Sequence, residues 1–392
     1  MNTLLERPLR IAMVGQRGVP ATFGGIEHHV ESLGARLAAR GHHVTVYCRT
    51  NYGLERPATY RGMSLRHLPT VGTKHLDALS HSAISTAAAM VRHHDVVHYH
   101  AIGPGLLSPL PRFLSGARVV QTIHGLDDER AKWGRAAKGV LSTAGWLSAR
   151  VPHATIAVSR ALADHYASRG RDAVYIPNGV DRRTRRTADE ITRRFGLTAG
   201  SYLLFLGRLV PEKAPDLLIR AFREIEGDRR LVIAGGSSYT DDYVGSLHEL
   251  AAADPRVLLP GYVYGQVLDE LYTNAAAFVL PSAIEGLPLT LLEAAAYGAP
   301  VVVSDIPPHL EVVGMDGPGA RVFGSGSTEG LTAALRRSLD GEAAERAGAG
   351  KLHARVMAHY RWDDAADATE ALYRQLVSDR HRGPVEGRRV AQ

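Results

Sequence analysis

Pro281-Ser282-Ala283-Ile284-Glu285-Gly286-Leu287-Pro288-Leu289-Thr290-Leu291-Leu292-Glu293-Ala294 decides the reading of this chain. The apolar run Ala275 to Leu280 precedes it. The segment therefore reads as a strand end, a Gly/Pro turn and a helix with Pro288 at its first position, where the ring costs no hydrogen bond. A helix N-terminus at the carboxyl edge of a sheet binds anions, because unpaired N–H groups and the positive end of the macrodipole meet there. Glu285 in the turn and Glu293 more than one helical turn inside flank that anion site, where each can accept hydrogen bonds from sugar hydroxyls on either side of a phosphate. The pattern describes a nucleotide-sugar pocket with Glu285, Gly286, Leu289, Thr290 and Glu293 as its expected contacts. Alone, it would be no more than an acidic first turn complementing the helix dipole.

It does not stand alone. Gly207-Arg208-Leu209-Val210-Pro211-Glu212-Lys213-Ala214-Pro215 follows the apolar run Tyr202 to Leu206 and precedes a second Leu/Ile-rich helix. An Arg fork and a Lys point charge at a strand-to-helix crossing suit a diphosphate that gains negative charge as its bond to a sugar breaks. Near the start, Gly24-Gly25-Ile26-Glu27 follows the strand Leu9 to Val14 and opens a helix through Leu37, a third N-terminus of phosphate size.

These segments, with Thr122-Ile123-His124-Gly125, Ala157-Val158-Ser159-Arg160 and Pro177-Asn178-Gly179-Val180-Asp181, closely resemble the retaining glycosyltransferases of family 4, which have the GT-B fold. The resemblance covers nearly the whole chain, and the family's Glu-x7-Glu pair is matched at Glu285 and Glu293. Gly15-Gln16-Arg17-Gly18-Val19-Pro20, Lys74-His75-Leu76-Asp77-Ala78 and His98-Tyr99-His100-Ala101-Ile102-Gly103-Pro104 look like a rhamnosyltransferase-like branch found in bacterial polysaccharide clusters. The resemblance implies that His124, Glu285, Arg208 and Lys213 are catalytic. It also implies that His124 faces the donor sugar and that attack comes from the front face, with the leaving diphosphate as base. Donor contacts are then expected at Gly24, Gly25, Tyr262 and Val263 as well, with Glu293 on the ribose and Glu285 on the transferred sugar. Asn178 is expected to help at the hinge. His98, His100, Lys74, His75, Asp77, Lys132 and Trp133 are expected to line the acceptor side, while Asp128 stands where many relatives carry an aromatic residue.

Alternation of apolar strand-like runs with helical patterns throughout calls for parallel sheets covered by helices on both faces. At 392 residues the chain suits two Rossmann-like α/β domains facing each other across a cleft. Residues 1–180 are expected to bind the acceptor and residues 181–362 the nucleotide sugar. A helix over 363–378 would cross back to the first domain, ahead of a disordered tail over 380–392. There is no run of 18 apolar residues and no signal-peptide core near Met1 to Arg10, which predicts a cytoplasmic protein. The single cysteine, Cys48, excludes an internal disulfide or a cysteine-based zinc site.

Residues 1–180 hold 21 Lys/Arg against 11 Asp/Glu and residues 181–392 hold 25 against 29, charges of +10 and −4 within the net +6. A basic first half predicts an anionic partner, either a lipid-linked saccharide acceptor or a peripheral contact with the inner membrane face. Abundant arginine accounts for the charge equally well. No nucleic-acid partner is expected. No cofactor or metal is expected beyond the donor substrate, since Arg208 and Lys213 supply the charge a Mg2+ would bring and no Asp-x-Asp closes a strand. The pairs His28-His29, His42-His43 and His93-His94 lack metal-site spacing and read as surface or helix-end residues. A dinucleotide-dependent oxidoreductase fails twice: the first turn reads Gly15-Gln16-Arg17-Gly18, and the second strand ends in Cys48-Arg49 rather than an acid. A non-catalytic sugar-nucleotide-binding protein, or an enzyme acting on a soluble natural product, are the remaining alternatives. Retention of Arg208, Lys213, Glu285 and Glu293 argues against the first of these.

Overall fold

The structure is a computed structural model that describes residues 7–53, 55–72, 77–126, 135–237 and 240–382. Short Val/Ile/Leu runs buried on both faces, the mark of parallel sheets, build two of them. The first contains β1 (Arg10–Val14), β2 (His43–Arg49), β3 (Thr59–Tyr60), β4 (Met63–Leu68), β5 (Val96–His100), β6 (Arg118–Ile123), β7 (Ala154–Ala157) and β8 (Val174–Tyr175). Its order is β3-β4-β2-β1-β5-β6-β7-β8, parallel except for the β3-β4 hairpin. The second contains β9 (Tyr202–Leu206), β10 (Arg230–Ala234), β11 (Val257–Gly261), β12 (Ala277–Leu280), β13 (Val301–Ser304) and β14 (Ala320–Phe323). It runs β11-β10-β9-β12-β13-β14, parallel throughout. This is the pair of Rossmann-like sheets that the alternation implied.

Strand order reverses between β1 and β5 in the first sheet and between β9 and β12 in the second. Connections leave such a point in opposite directions and open a crevice at the carboxyl ends of the two strands. In the second sheet that crevice receives the turn after β9, with Arg208 and Lys213, and the turn after β12, with Glu285. A backbone hydrogen bond from Ala283 N to the Glu212 carbonyl, 2.9 Å, ties the two turns together.

The helix Trp362–Arg382 completes the core of the first sheet: Trp362, Ala366 and Tyr373 are buried with Ile11, Val30 and Val96. The Tyr373 hydroxyl lies 2.5 Å from His98 Nδ1, and Arg118 Nε donates to the Leu376 carbonyl at 2.7 Å. Arg36 on the helix Gly25–Ala39 pairs with Asp363, and Arg40, which caps that helix, pairs with Glu370. No helix among the described residues is long and apolar enough to cross a membrane.

Three sequence expectations are corrected here. Pro288 is the N-cap of the helix Leu289–Tyr297 rather than its first residue, so the free N–H groups begin one position later. In each adjacent histidine pair one ring is buried: His29, His42 and His94 lie inside, whereas their neighbours His28, His43 and His93 are exposed. His42 is a structural link, its Nδ1 accepting from Leu9 N at 3.0 Å while Nε2 meets Glu370 at 3.1 Å. The predicted acceptor residues His98, His100 and Asp77 are buried as well. His98 is taken up by Tyr373 and Thr122, and Asp77 pairs with Arg49 at 2.5 Å. Lys74, His75, Asp127, Asp128, Lys132 and Trp133 lie outside the described residues.

Burial holds several of these imidazoles neutral. His81 and His309, both fully buried, are pushed down to about 4 by desolvation. A histidine that titrates near 6.5 unfolded and near 4 folded binds its proton in the unfolded chain first. Stability is therefore complete above pH 6.5 and falls between 6.5 and 4, by about 1.4 kcal/mol per pH unit for each such group. Urea midpoints at pH 7, 6 and 5 should decline steadily, and less steeply in His81→Gln and His309→Gln. A flat profile would show that these rings are not neutral cores.

Candidate active site

At the carboxyl edge of the second sheet the two motifs form one group. Lys213 Nζ bonds directly to Glu285 Oε1, and Ser282 Oγ donates to the same carboxylate at 2.8 Å. The side chains are only 12% and 9% exposed, so the pair works in a low effective dielectric. Burial alone would raise the Glu285 carboxyl, but the charge of Lys213, the nearby His309 and the two hydrogen bonds hold it below the ordinary value. Behind it, Ser304 Oγ donates to the Ser282 carbonyl at 2.5 Å and lies 3.0 Å from His309 Nδ1, which braces the turn from the β13 side. Arg208 extends beside Glu212, at 4.0 Å, and half-exposed Tyr262 carries the charges of both Arg208 and Arg17 close to its phenol.

Glu293 points to other partners. Its Oε1 accepts from Arg183 Nη2 at 2.6 Å and its Oε2 from the Tyr272 hydroxyl at 3.2 Å. Arg183 belongs to the segment between the two sheets, and its guanidinium lies 5.9 Å from the Tyr297 ring. The two glutamates therefore sit in separate settings: Glu285 is clamped in the crevice, whereas Glu293 is held from the side, 21% exposed.

The first sheet supplies the opposite wall. His124 directly follows β6, with Nε2 3.3 Å from His100 Nδ1 and its ring edge-on to His29 at 4.5 Å between centroids. Burial pushes His100 and His124 well below the ordinary imidazole value and His29 down to about 4. At Gly24 and Gly25 the expected anion site is modified. The Glu27 carboxylate accepts from Arg17 N at 2.9 Å and packs against Gly24, so this N-terminus already faces a negative charge. Phe23, in the same loop, meets Tyr262 across the cleft at 5.6 Å, and the Arg17 guanidinium lies 5.4 Å from the Phe23 ring. Val263 packs against the core of the second sheet.

The walls also touch through Asn178, Glu311 and Gly286. Asn178 Nδ2 donates to the Leu287 carbonyl at 3.0 Å while its Oδ1 meets His29 Nδ1 at 2.8 Å. Arg160 N and the Tyr175 hydroxyl both donate to Glu311, at 2.8 and 2.7 Å. Gly286 presses on the His124 carbonyl so closely that a Cβ there would lie 2.0 Å from the oxygen. Thr290 Oγ1, at the helix N-terminus beside this contact, is buried with no protein partner.

Sequence reasoning missed His29, Arg17, Phe23, Arg183, Tyr272 and His309. His29 alone carried a legible signal, lying four residues before Leu33 on the buried stripe of its helix. The others act through contacts between segments far apart in the chain.

Residues 23–184 match the family described as Glycosyltransferase Family 4, and residues 189–352 match Glycosyl transferases group 1. The chain is 30% identical to the D-inositol 3-phosphate glycosyltransferase of Kineococcus radiotolerans, over 91% of this chain and 92% of that protein. The chain belongs to glycosyltransferase family 4. This glycosyltransferase is also 29% identical to the GDP-mannose-dependent alpha-(1-6)-phosphatidylinositol monomannoside mannosyltransferase of Mycolicibacterium smegmatis, over 81% and 86% of the two chains. Sucrose-phosphate synthase from Thermosynechococcus elongatus superposes with a TM-score of 0.80 at 21% identity, covering 94% of this chain and 99% of that one. Anabaena HepE in complex with UDP and glucose gives 0.79 at 17%, covering 93% and 99%. The fold is thus GT-B, and the transferase assignment is secure from the sequence relatives.

The glycosyltransferase should not tolerate Gly286→Ala. The added methyl forces the walls apart at the His124 carbonyl, and overpacking of this kind costs about 1–3 kcal/mol. Small-angle scattering should show a larger radius of gyration, and the melting temperature should fall by a few degrees. An unchanged radius would mean that this contact does not close the cleft in solution.

Proposed function

We propose that the protein moves a sugar from a nucleotide-diphosphate donor to a hydroxyl acceptor with retention of anomeric configuration. The observation that carries this reading is the Lys213–Glu285 pair beside Arg208 at the switch point of the second sheet, opposite His124. In the proposed reaction the bond from the anomeric carbon to the diphosphate breaks, the acceptor oxygen bonds on the same face, and its proton passes to the departing phosphate oxygen. Arg208, Lys213 and the N–H groups of the helix Leu289–Tyr297 receive the charge that develops on the diphosphate. Losing one such contact costs about 3 kcal/mol, or about a hundredfold in rate. The neutral imidazole of His124 faces the anomeric centre and hydrogen-bonds a sugar hydroxyl.

Glu285 accepts from hydroxyls of the transferred sugar once Lys213 turns toward phosphate, and Glu293, oriented by Arg183 and Tyr272, accepts from the ribose. Gly286, Leu289 and Thr290 line the diphosphate, and Tyr262 and Val263 border the base. Relatives named for inositol-phosphate and phosphatidylinositol-mannoside acceptors support a polyol or saccharide acceptor bearing phosphate. The acceptor is thus proposed to be a cell-surface glycan or glycolipid precursor, met at the membrane by the basic first half. The rhamnosyltransferase-like branch remains our reading of the motif pattern alone.

The assay is nucleotide release from dTDP-rhamnose, UDP-glucose, UDP-N-acetylglucosamine and GDP-mannose, with and without EDTA. One donor should be used, and turnover should survive chelation. Loss of turnover in EDTA that Mg2+ restores would show that Arg208 and Lys213 do not suffice at the diphosphate. On the accepted donor, Glu293→Ala should raise KM strongly, since a ribose diol loses its acceptor, while Glu285→Ala should mainly lower kcat. Small, equal effects of both changes would sink the pocket assignment.

A further inference from the structure

Three histidines from three segments meet beneath the cleft: His29 on the helix Gly25–Ala39, His100 at the end of β5 and His124 just past β6. One ring nitrogen from each lies within 4.8 Å of the other two. The hydrogen bonds of Asn178 set what the His29 ring offers. The amide of Asn178 donates from Nδ2 to the Leu287 carbonyl, which leaves Oδ1 facing His29 Nδ1. His29 Nδ1 therefore carries the proton and Nε2 carries a lone pair. That Nε2 is buried and has no hydrogen-bond partner, while the residue is only 4% exposed. An unsatisfied buried acceptor of this kind costs about 1–3 kcal/mol, unless something occupies its lone pair. His100 has Nε2 against Met13 Sδ at 3.2 Å and turns Nδ1 toward His124 Nε2 at 3.3 Å. With metal–nitrogen bonds of about 2.0–2.1 Å, two ligands of a tetrahedral ion stand about 3.3 Å apart. The His100–His124 spacing already has that length.

We propose that His29, His100 and His124 form a binding site for a borderline transition-metal ion such as Zn2+, with a fourth position open toward the cleft. The ion replaces the His100–His124 hydrogen bond and satisfies the lone pair of His29. Asn178 then does what an outer hydrogen-bond acceptor does at a histidine metal site: it fixes the tautomer and aims the ring. Imidazole ligands without carboxylates select zinc, cobalt, nickel or copper over magnesium and calcium. The site is thus separate from any Mg2+ requirement at the diphosphate. Its consequence for turnover rests on the proposed role of His124, whose ring a bound ion would withdraw from the donor sugar.

The test is titration of the untagged, EDTA-treated full chain with Co2+ and then Zn2+. One Co2+ per chain should give the intense visible bands of a tetrahedral site, and one Zn2+ should displace it. His29→Ala and His100→Ala should each weaken binding at least about tenfold, the lower end of what supporting changes cost at such sites. His28→Ala, on the exposed face of the same helix, should leave binding unaltered. Folding of each variant is checked by thermal melting, and the wild-type titration decides even if a variant fails to fold. Absence of tetrahedral bands in the wild type overturns the proposal, as do bands that survive both alanine changes. Turnover is read in parallel: inhibition by stoichiometric Zn2+, reversed by EDTA, supports both the site and the role of His124. Tetrahedral binding without inhibition keeps the site and removes His124 from the donor.

Discussion

The two hydrogen bonds of Asn178 organise the centre of the molecule. An amide has one acceptor end and one donor end, and here each is committed to a different wall: Oδ1 to His29 beneath the first sheet, Nδ2 to the Leu287 carbonyl just before the helix of the second. Because the residue is nearly inaccessible to solvent, at 4%, releasing either bond would strand a polar group without water to replace it. The amide therefore couples closure of the cleft to the tautomer of a histidine. Gly286 can press on the His124 carbonyl only while Leu287 is held in this register.

Charge in the cleft follows the same economy. Two helix N-termini face each other, close enough that a Cβ on Gly25 would lie 3.8 Å from Leu289 Cδ1. They are not equivalent. The N-terminus at Gly25 already carries Glu27, whereas the helix at Leu289 has no acid in its first turn. Of these two, only the second leaves its dipole uncompensated for an incoming anion. Arg208 and Lys213 lie on that same wall, although the net positive charge of the chain sits in the first half. Some arginines of the first half are spent in pairs, such as Arg7 with Asp95 and Arg49 with Asp77.

The fold was largely legible. β9 and β12 lie within the apolar runs Tyr202 to Leu206 and Ala275 to Leu280, since fully buried parallel strands leave an uninterrupted hydrophobic signal. β4 and β14 escaped notice because they lie at or next to sheet edges and interleave polar residues, Ser64 and Arg66 in one and Arg321 in the other. In the site, the resemblance placed Lys213 and Glu285 in one pocket, while the switch point that brings the ends of β9 and β12 together comes from the strand order of the fold. The reading of His98, His100 and Asp77 as acceptor contacts failed for a physical reason. A motif rich in histidine on a strand looks polar and accessible, yet Tyr373 and Thr122 take up His98, Arg49 takes up Asp77, and His100 is buried against Met13 and His124.

The linker arginine adds a constraint that neither sheet supplies. Glu293 is aligned by Tyr272 from its own domain and by Arg183 from the segment that joins the sheets. That same stretch of chain includes Asp181, which pairs with Arg36 on the first wall. A movement of one sheet against the other thus pulls on both ends of a two-residue span. Glu293 lies on a rigid helix, but its carboxylate is oriented through the hinge and depends on the closure that Asn178 maintains. On the proposed reading, ribose recognition and cleft closure are then one equilibrium, and a donor that engages Glu293 stabilises the closed form by whatever it binds more tightly there than in the open one.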